Sequence, residues 1–262
     1  MRRFALLLLM VLAPGTASAQ TPAPPLVDPR LGCDTVNGFP APDLGEPQNI
    51  DNFKKQLLYY RCTAYEDDVA KVLDAAQKWV AARAPQVSKP AIVLDIDETS
   101  LTNWPRIYQD DFARIPNGAC DLKVGDPCGD LDWQQSATAQ ALGPTLKFYK
   151  AARCVEQPSP CTPIDVFFIT GRREILHNNE KPSEWTLRNL KLAGYGDIAP
   201  DHLYMREPDS SGGVADYKTS KRIDVESHGF VIIASVGDQK SDLAGGHAEM
   251  TFKVPNPFYF IP

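Results

Sequence analysis

The sequence predicts an α/β fold, a parallel sheet flanked by helices with a small, mostly helical cap. Three observations predict it. Short unbroken apolar runs occur at Ala91–Leu94, Val166–Ile169 and Phe230–Val236, the pattern of strands buried on both faces. Each run ends abruptly in polar residues, at Asp95, Thr170 and Gly237-Asp238. Helical patterns separate the runs, as the crossovers of a parallel sheet require.

In chain order, Arg2 and Arg3, the apolar run Phe4–Leu12 and the small residues Ala17-Ser18-Ala19 make the three parts of a cleavable secretory signal over 1–19. The apolar run is shorter than the roughly 20 residues that cross a bilayer. No later run is long enough either, so the expectation is a soluble periplasmic or secreted protein that leaves the membrane after cleavage. Residues 20–50 are rich in proline and glycine and read as an extended arm. Residues 51–89 read as a helical region, with Val69, Val72, Leu73, Ala76 and Val80 at helical spacing before Pro85 and Pro90. The catalytic core is expected over 90–262. Inside it, 101–142 does not fit the strand–helix alternation; with the helical region before Pro85, it reads as a cap beside the sheet's catalytic edge. Ser183–Leu192 reads as a helix with Ser183 as N-cap and Gly194 past its end, and Lys218–Ser227 as another.

An apolar content of 43% suffices for one large domain, and a net charge of −6 argues against a partner such as nucleic-acid polymer or anionic lipid. Any anionic ligand would have to be drawn in by a local site, not by the overall field. Six cysteines behind a signal favour disulfides, and the expected pairing is the sequence-local one: Cys33–Cys62, Cys120–Cys128 and Cys154–Cys161.

The strand ends carry the chemistry, because ligands of open α/β sheets sit beyond the carboxyl ends of the strands. Asp95 and Asp97, two apart on extended chain, face one side. Asp238 and Asp242 follow the last run. Converging carboxylates are costly to bury without a cation, and an all-oxygen set suits Mg²⁺. Asp238 and Asp242 could alternatively cap a helix beginning at Gln239.

Asp95-Ile96-Asp97-Glu98-Thr99, Thr170-Gly171-Arg172-Arg173-Glu174, Tyr217-Lys218, Gly237-Asp238 with Ser241-Asp242-Leu243, and Val254-Pro255-Asn256-Pro257 together resemble the haloacid dehalogenase-like superfamily, whose core is Rossmann-like. Within it they are similar to the acid phosphatases related to bacterial class B and C enzymes and plant vegetative storage proteins. The resemblance implies a phosphomonoesterase acting on small phosphate esters or nucleotides. It implies Asp95 as the nucleophile that forms an aspartyl-phosphate, and Asp97 as acid and then base. It implies Mg²⁺ held by Asp95, the Asp97 carbonyl and Asp238, with Asp242 in support. Thr170 and the Gly171 backbone would bind a phosphoryl oxygen, and Lys218 would hold nucleophile and phosphoryl group; Lys221, one turn on, could reach the same place. Arg172 and Arg173 read as surface charges. Trp104 and Tyr108 could stack a base or aromatic ester, or could pack the cap. Two alternatives stay open: a non-enzymatic storage or binding protein on the same fold, and a phosphotransferase using the same residues.

Overall fold

Asp95 and Gly237 sit at the ends of strands in one sheet, whereas Thr170 lies three residues before the end of its own, which does not stop there as the sequence suggests. The strands are parallel because helices return the chain across the faces of the sheet. A computed structural model describes residues 24–36, 49–155 and 161–261. The signal at 1–19 and the arm residues 20–23 and 37–48 lie outside the described residues. The strands are β1 (Pro90–Leu94), β2 (Asp165–Arg173), β3 (Leu203–Arg206), β4 (Val231–Gly237) and β5 (Thr251–Lys253), in spatial order β3-β2-β1-β4-β5. Every pairing is parallel, with Leu94 beside Phe168 on one flank and beside Val236 on the other.

The helices are α1 (Ile50–Thr63), α2 (Tyr65–Arg83), α3 (Trp104–Gln109), α4 (Asp130–Ser136), α5 (Gly143–Ala152), α6 (Pro182–Leu190), α7 (Val214–Ser227) and α8 (Lys240–Leu243). On one face of the sheet, Ala91, Val93, Phe167 and Ile169 pack with Tyr217 and Val225 of α7. On the other, Ile92, Leu94, Phe168 and Ile233 join a larger core with α2 and α5. Removing this apolar surface from water, at about 25 cal/mol per Å², is the main force holding the three layers together.

Several readings need correction. The helical region is two helices broken at Ala64. Its second helix is not part of a cap: Val69, Leu73, Ala76 and Val80 are buried in the sheet-facing core, and the Trp79 indole donates to the Ile233 carbonyl of β4 at 2.7 Å. Ser183 is not an N-cap. Lys181 holds that position, Pro182 presets the first turn, and Ser183 N–H and hydroxyl donate to Glu174 at 3.0 and 2.6 Å. Helix α7 starts at Val214, not Lys218, which places Lys218 in its second turn.

All three sequence-local disulfides are formed. Cys33–Cys62 fastens the described part of the arm to α1. Arm and body also join through the Trp104 indole donating to Leu31 O at 2.8 Å and Arg61 donating to Pro29 O at 2.8 Å. No helix among the described residues is long and apolar enough to cross a membrane.

Candidate active site

The chain leaves β1 through a tight turn. The Asp95 N–H still donates to Val236 O at 3.0 Å, and the Ile96 carbonyl then accepts from Thr99, Ser100 and Leu101 N–H. Glu98 sits at φ +54, a left-handed conformation that costs a non-glycine residue about 1 kcal/mol. Three donors to its buried carboxylate hold it there: Asn103 N–H at 2.5 Å, Asn103 Nδ2 at 3.0 Å and Tyr259 hydroxyl at 2.7 Å. Burial, reinforced by the neighbouring Asp97 charge, pushes the Glu98 carboxyl from an ordinary 4.5 to about 7. A carboxyl raised on folding gives stability that is complete below its unfolded value and is lost as pH rises through the folded one. Metal-free protein should therefore lose up to about 3 kcal/mol from this group between pH 4.5 and about 7. Thermal melting across that window should show a shallower fall in Glu98→Gln; an unchanged slope would rule the assignment out.

Asp95 is buried and accepts a short hydrogen bond from Lys218 Nζ, which also donates to Asp242 Oδ1 at 2.5 Å. Lys221 is instead paired with Glu207, so of the two lysines Lys218 is the one that reaches Asp95. Asp238 accepts from the Thr99 hydroxyl on Oδ1 at 3.1 Å, and on Oδ2 from Gln239 Nε2 at 2.5 Å and Asn256 Nδ2 at 2.7 Å. The second Asp242 oxygen accepts Gln239 N–H at 2.7 Å, closing a reciprocal cap on α8. The capping alternative thus falls to Gln239 and Asp242, and Asp238 takes no part in it. Gly237 permits this closeness, since a Cβ there would lie 2.3 Å from the Asp242 Cβ.

Asp95, Asp238 and Asp242 each offer a carboxylate oxygen, all within 4.8 Å of one another. Three buried carboxylates share one buried ammonium, which leaves a surplus of negative charge. Burial and the neighbouring carboxylates accordingly raise Asp95 well above its ordinary value, against the pull of Lys218, and raise Asp238 to about 6. Such a hard-oxygen set with unbalanced charge fits a divalent metal.

The Asp97 carboxylate turns away from that cluster. It accepts from Arg172 Nη2 at 2.7 Å, Arg172 Nε at 3.0 Å and Asn103 Nδ2 at 2.8 Å. Burial alone would raise its pKa; the charge and hydrogen bonds of Arg172 outweigh burial and hold it below 3.8. Arg172 is therefore no surface charge. It is buried, and its Nη1 donates to the Thr186 hydroxyl at 3.1 Å. The missed signal was alternation: β2 runs on through Arg173, so Thr170 and Arg172 share a face while Arg173 points out to Pro208 O. Thr170 is buried, and its oxygen accepts Arg172 N–H at 3.1 Å. Gly171 follows it at the half-buried edge.

Trp104 and Tyr108 are not a ligand platform. Trp104 is 0% exposed, stacks on Tyr108 at 5.8 Å and packs against Phe112 and Phe258. The arm covers Tyr108 so closely that a Cβ on Gly32 would come within 2.5 Å of its ring.

Residues 46–262 match the family described as HAD superfamily, subfamily IIIB (Acid phosphatase). The chain is 29% identical to acid phosphatase 1 of Solanum lycopersicum over the full length of both proteins. It is 32% identical to the stem 28 kDa glycoprotein of Glycine max, across 66% of this chain and 61% of that one. Among solved structures, the class C acid phosphatase from Bacillus anthracis superposes with a TM-score of 0.58 at 23% identity, covering 79% of this chain and 86% of that one. Strand order, acid cluster and family match agree: the chain belongs to the HAD-superfamily acid phosphatases of subfamily IIIB.

Proposed function

We propose that this chain is an exported, Mg²⁺-dependent phosphatase that hydrolyses small phosphate monoesters, nucleotides among them, through an aspartyl-phosphate on Asp95. The observation that carries the reading is the buried Asp95 carboxylate, fastened by Lys218 and flanked by Asp238 and Asp242. Asp95 attacks phosphorus, the ester P–O bond breaks, and Asp97 gives its proton to the leaving oxygen. Asp97 then takes a proton from water as that water attacks phosphorus and releases Asp95. Asp95, Asp238 and Asp242, with the Asp97 carbonyl, are the groups that would hold Mg²⁺. When bound, the ion offsets repulsion between the anionic nucleophile and the anionic phosphate. Lys218 and the Thr170 hydroxyl, with the Gly171 N–H, supply further positive ends to the phosphoryl oxygens.

Arg172 gives the acid step a condition. It keeps Asp97 ionised in the free protein, whereas the first transfer needs Asp97 protonated. A phosphate dianion arriving beside the pair competes for the guanidinium and repels the carboxylate, and both effects raise the Asp97 pKa. Three disulfides suit the oxidising compartment that export implies. A storage role would not need Asp95, Asp97 and Lys218 together. Phosphotransfer to an alcohol uses the same residues, and product analysis with an added acceptor measures its share.

The test is a panel of phosphate monoesters and nucleotides, from acidic to neutral pH, with Mg²⁺ or with chelator. Chelation should lower turnover by at least about 100-fold, and Mg²⁺ should restore it. Activity untouched by chelation would defeat the metal assignment, and a silent panel would defeat the phosphatase reading.

A further inference from the structure

Beyond the carboxyl ends of β4 and β5 lies a cleft of about 400 Å³ whose walls include Asp238, Gln239, Lys240, Lys253, Asn256 and Phe260. That size lies in the range of small-ligand sites, roughly 300–1,000 Å³. It adjoins the acid cluster directly, because Asp238 belongs to both. Its floor is already committed: the Gln239 and Asn256 amides donate to Asp238 Oδ2. Its rim is not. Lys240 and Lys253 are exposed, and neither is ion-paired among the described residues. The Lys253 ammonium has only a long contact of 3.4 Å to its neighbour's carbonyl, Val254 O. Phe260 is 70% exposed on the same rim, an apolar face open to a ligand's carbon frame.

Two exposed ammonium groups without an ion-pair partner among the described residues thus share one cleft with Asp238 of the acid cluster, in a chain of net charge −6. A neutral leaving group would give them no partner. We infer that this cleft is a subsite for a second anionic group, a phosphate or carboxylate, carried by the leaving alcohol. The inference rests on the phosphatase reading of the same edge and narrows its substrate class to esters with two separated acidic groups. The Asn256 and Gln239 amides keep the Asp238 charge turned inward, and the lysines give the outer wall the opposite sign. The substrate would thus be gripped at one end by the Asp95 centre and at the other by the lysine rim.

The experiment compares monophosphates and bisphosphates of one diol series, ethane-1,2-diol to hexane-1,6-diol, with Mg²⁺ and the full chain. At the length that spans the two sites, kcat/KM for the bisphosphate should exceed that of its monophosphate roughly tenfold beyond the statistical factor of two. The preference should shrink as salt is raised to about 0.5 M. In K240A/K253A the ratio should fall to the statistical factor of about two. Both lysines are exposed, so the variant folds. A matched loss of charge on the exposed Lys55 and Lys78 of α1 and α2, K55A/K78A, should leave the ratio in place. A wild-type ratio no greater than the statistical factor of about two at every length, with monophosphates turned over, overturns the subsite alone. So does a preference that survives K240A/K253A. No turnover of any ester overturns the phosphatase reading as well.

Discussion

Asp95→Asn should lose at least about 10⁴-fold in kcat while keeping its fold. The substitution is nearly isosteric. The Asn oxygen can still accept from Lys218, the backbone N–H keeps its bond to Val236 O, and Lys218 keeps Asp242 as counter-ion. What goes is the anionic oxygen proposed to attack phosphorus. Asn at this position also removes a carboxyl whose charged form is disfavoured by burial and by its acidic neighbours, so the thermal midpoint of the metal-free variant should stay close to wild type. Acid-quenched enzyme and labelled substrate should give an acid-stable, base-labile aspartyl-phosphate in the wild type and none in the variant. A variant turning over within tenfold of wild type would show that another group carries the phosphoryl transfer. The subsite, the metal assignment and the Asp97 role would then all lose their anchor.

The strands that deliver this chemistry were readable because burial on both faces leaves a compositional trace. Ile92, Val93, Leu94 and Phe167, Phe168, Ile169 are apolar without alternation because helices cover both sides of β1 and β2. β3 and β5 leave no such trace: they are edge strands of four and three residues, partly open to solvent, and their pairing is decided by the neighbours they lie against. The same limit explains the aromatic pair. Trp104 and Tyr108 have the spacing of a stacking platform. Their fate is set by Leu31 and Gly32 of the arm, and the Leu31–Trp104 hydrogen bond spans 73 residues of sequence, beyond any local pattern. The disulfides, by contrast, were readable from proximity along the chain, since two of the three close loops of eight and seven residues. The Asp238 environment was only half legible. Asp238 followed from its strand end, whereas Asn256, which turns its carboxylate, arrives from the chain terminus.

Arg172 was misjudged on one point of geometry, and its replacement is expected to have the second-largest effect. The guanidinium is buried, and its hydrogen bonds go to Asp97 and Thr186. Arg172→Ala leaves the Asp97 carboxylate with Asn103 Nδ2 as its remaining side-chain donor and opens a void beside Thr186. Asp97 keeps some contact with solvent, its side chain being 24% exposed, so the loss should stay below the 3–5 kcal/mol of a fully buried broken pair and fall near 2 kcal/mol. The pH dependence carries a definite sign. Asp97 is depressed below 3.8 in the folded protein, so the stability it contributes is present above that value and is lost as pH falls through its folded pKa. Wild type and Arg172→Ala should therefore differ most near neutrality and draw together as pH falls through the folded Asp97 pKa. Turnover should fall about 100-fold or more if, as proposed, Asp97 must hold its proton over the leaving oxygen, and the alkaline limb of kcat/KM, set by the loss of that proton, should move to higher pH. Arg172→Lys keeps the charge but loses the two-pronged grip, so it should recover most of the stability and only part of kcat. If KM rises in both variants while kcat and the pH profile stay in place, Arg172 binds the phosphate directly and does not orient Asp97.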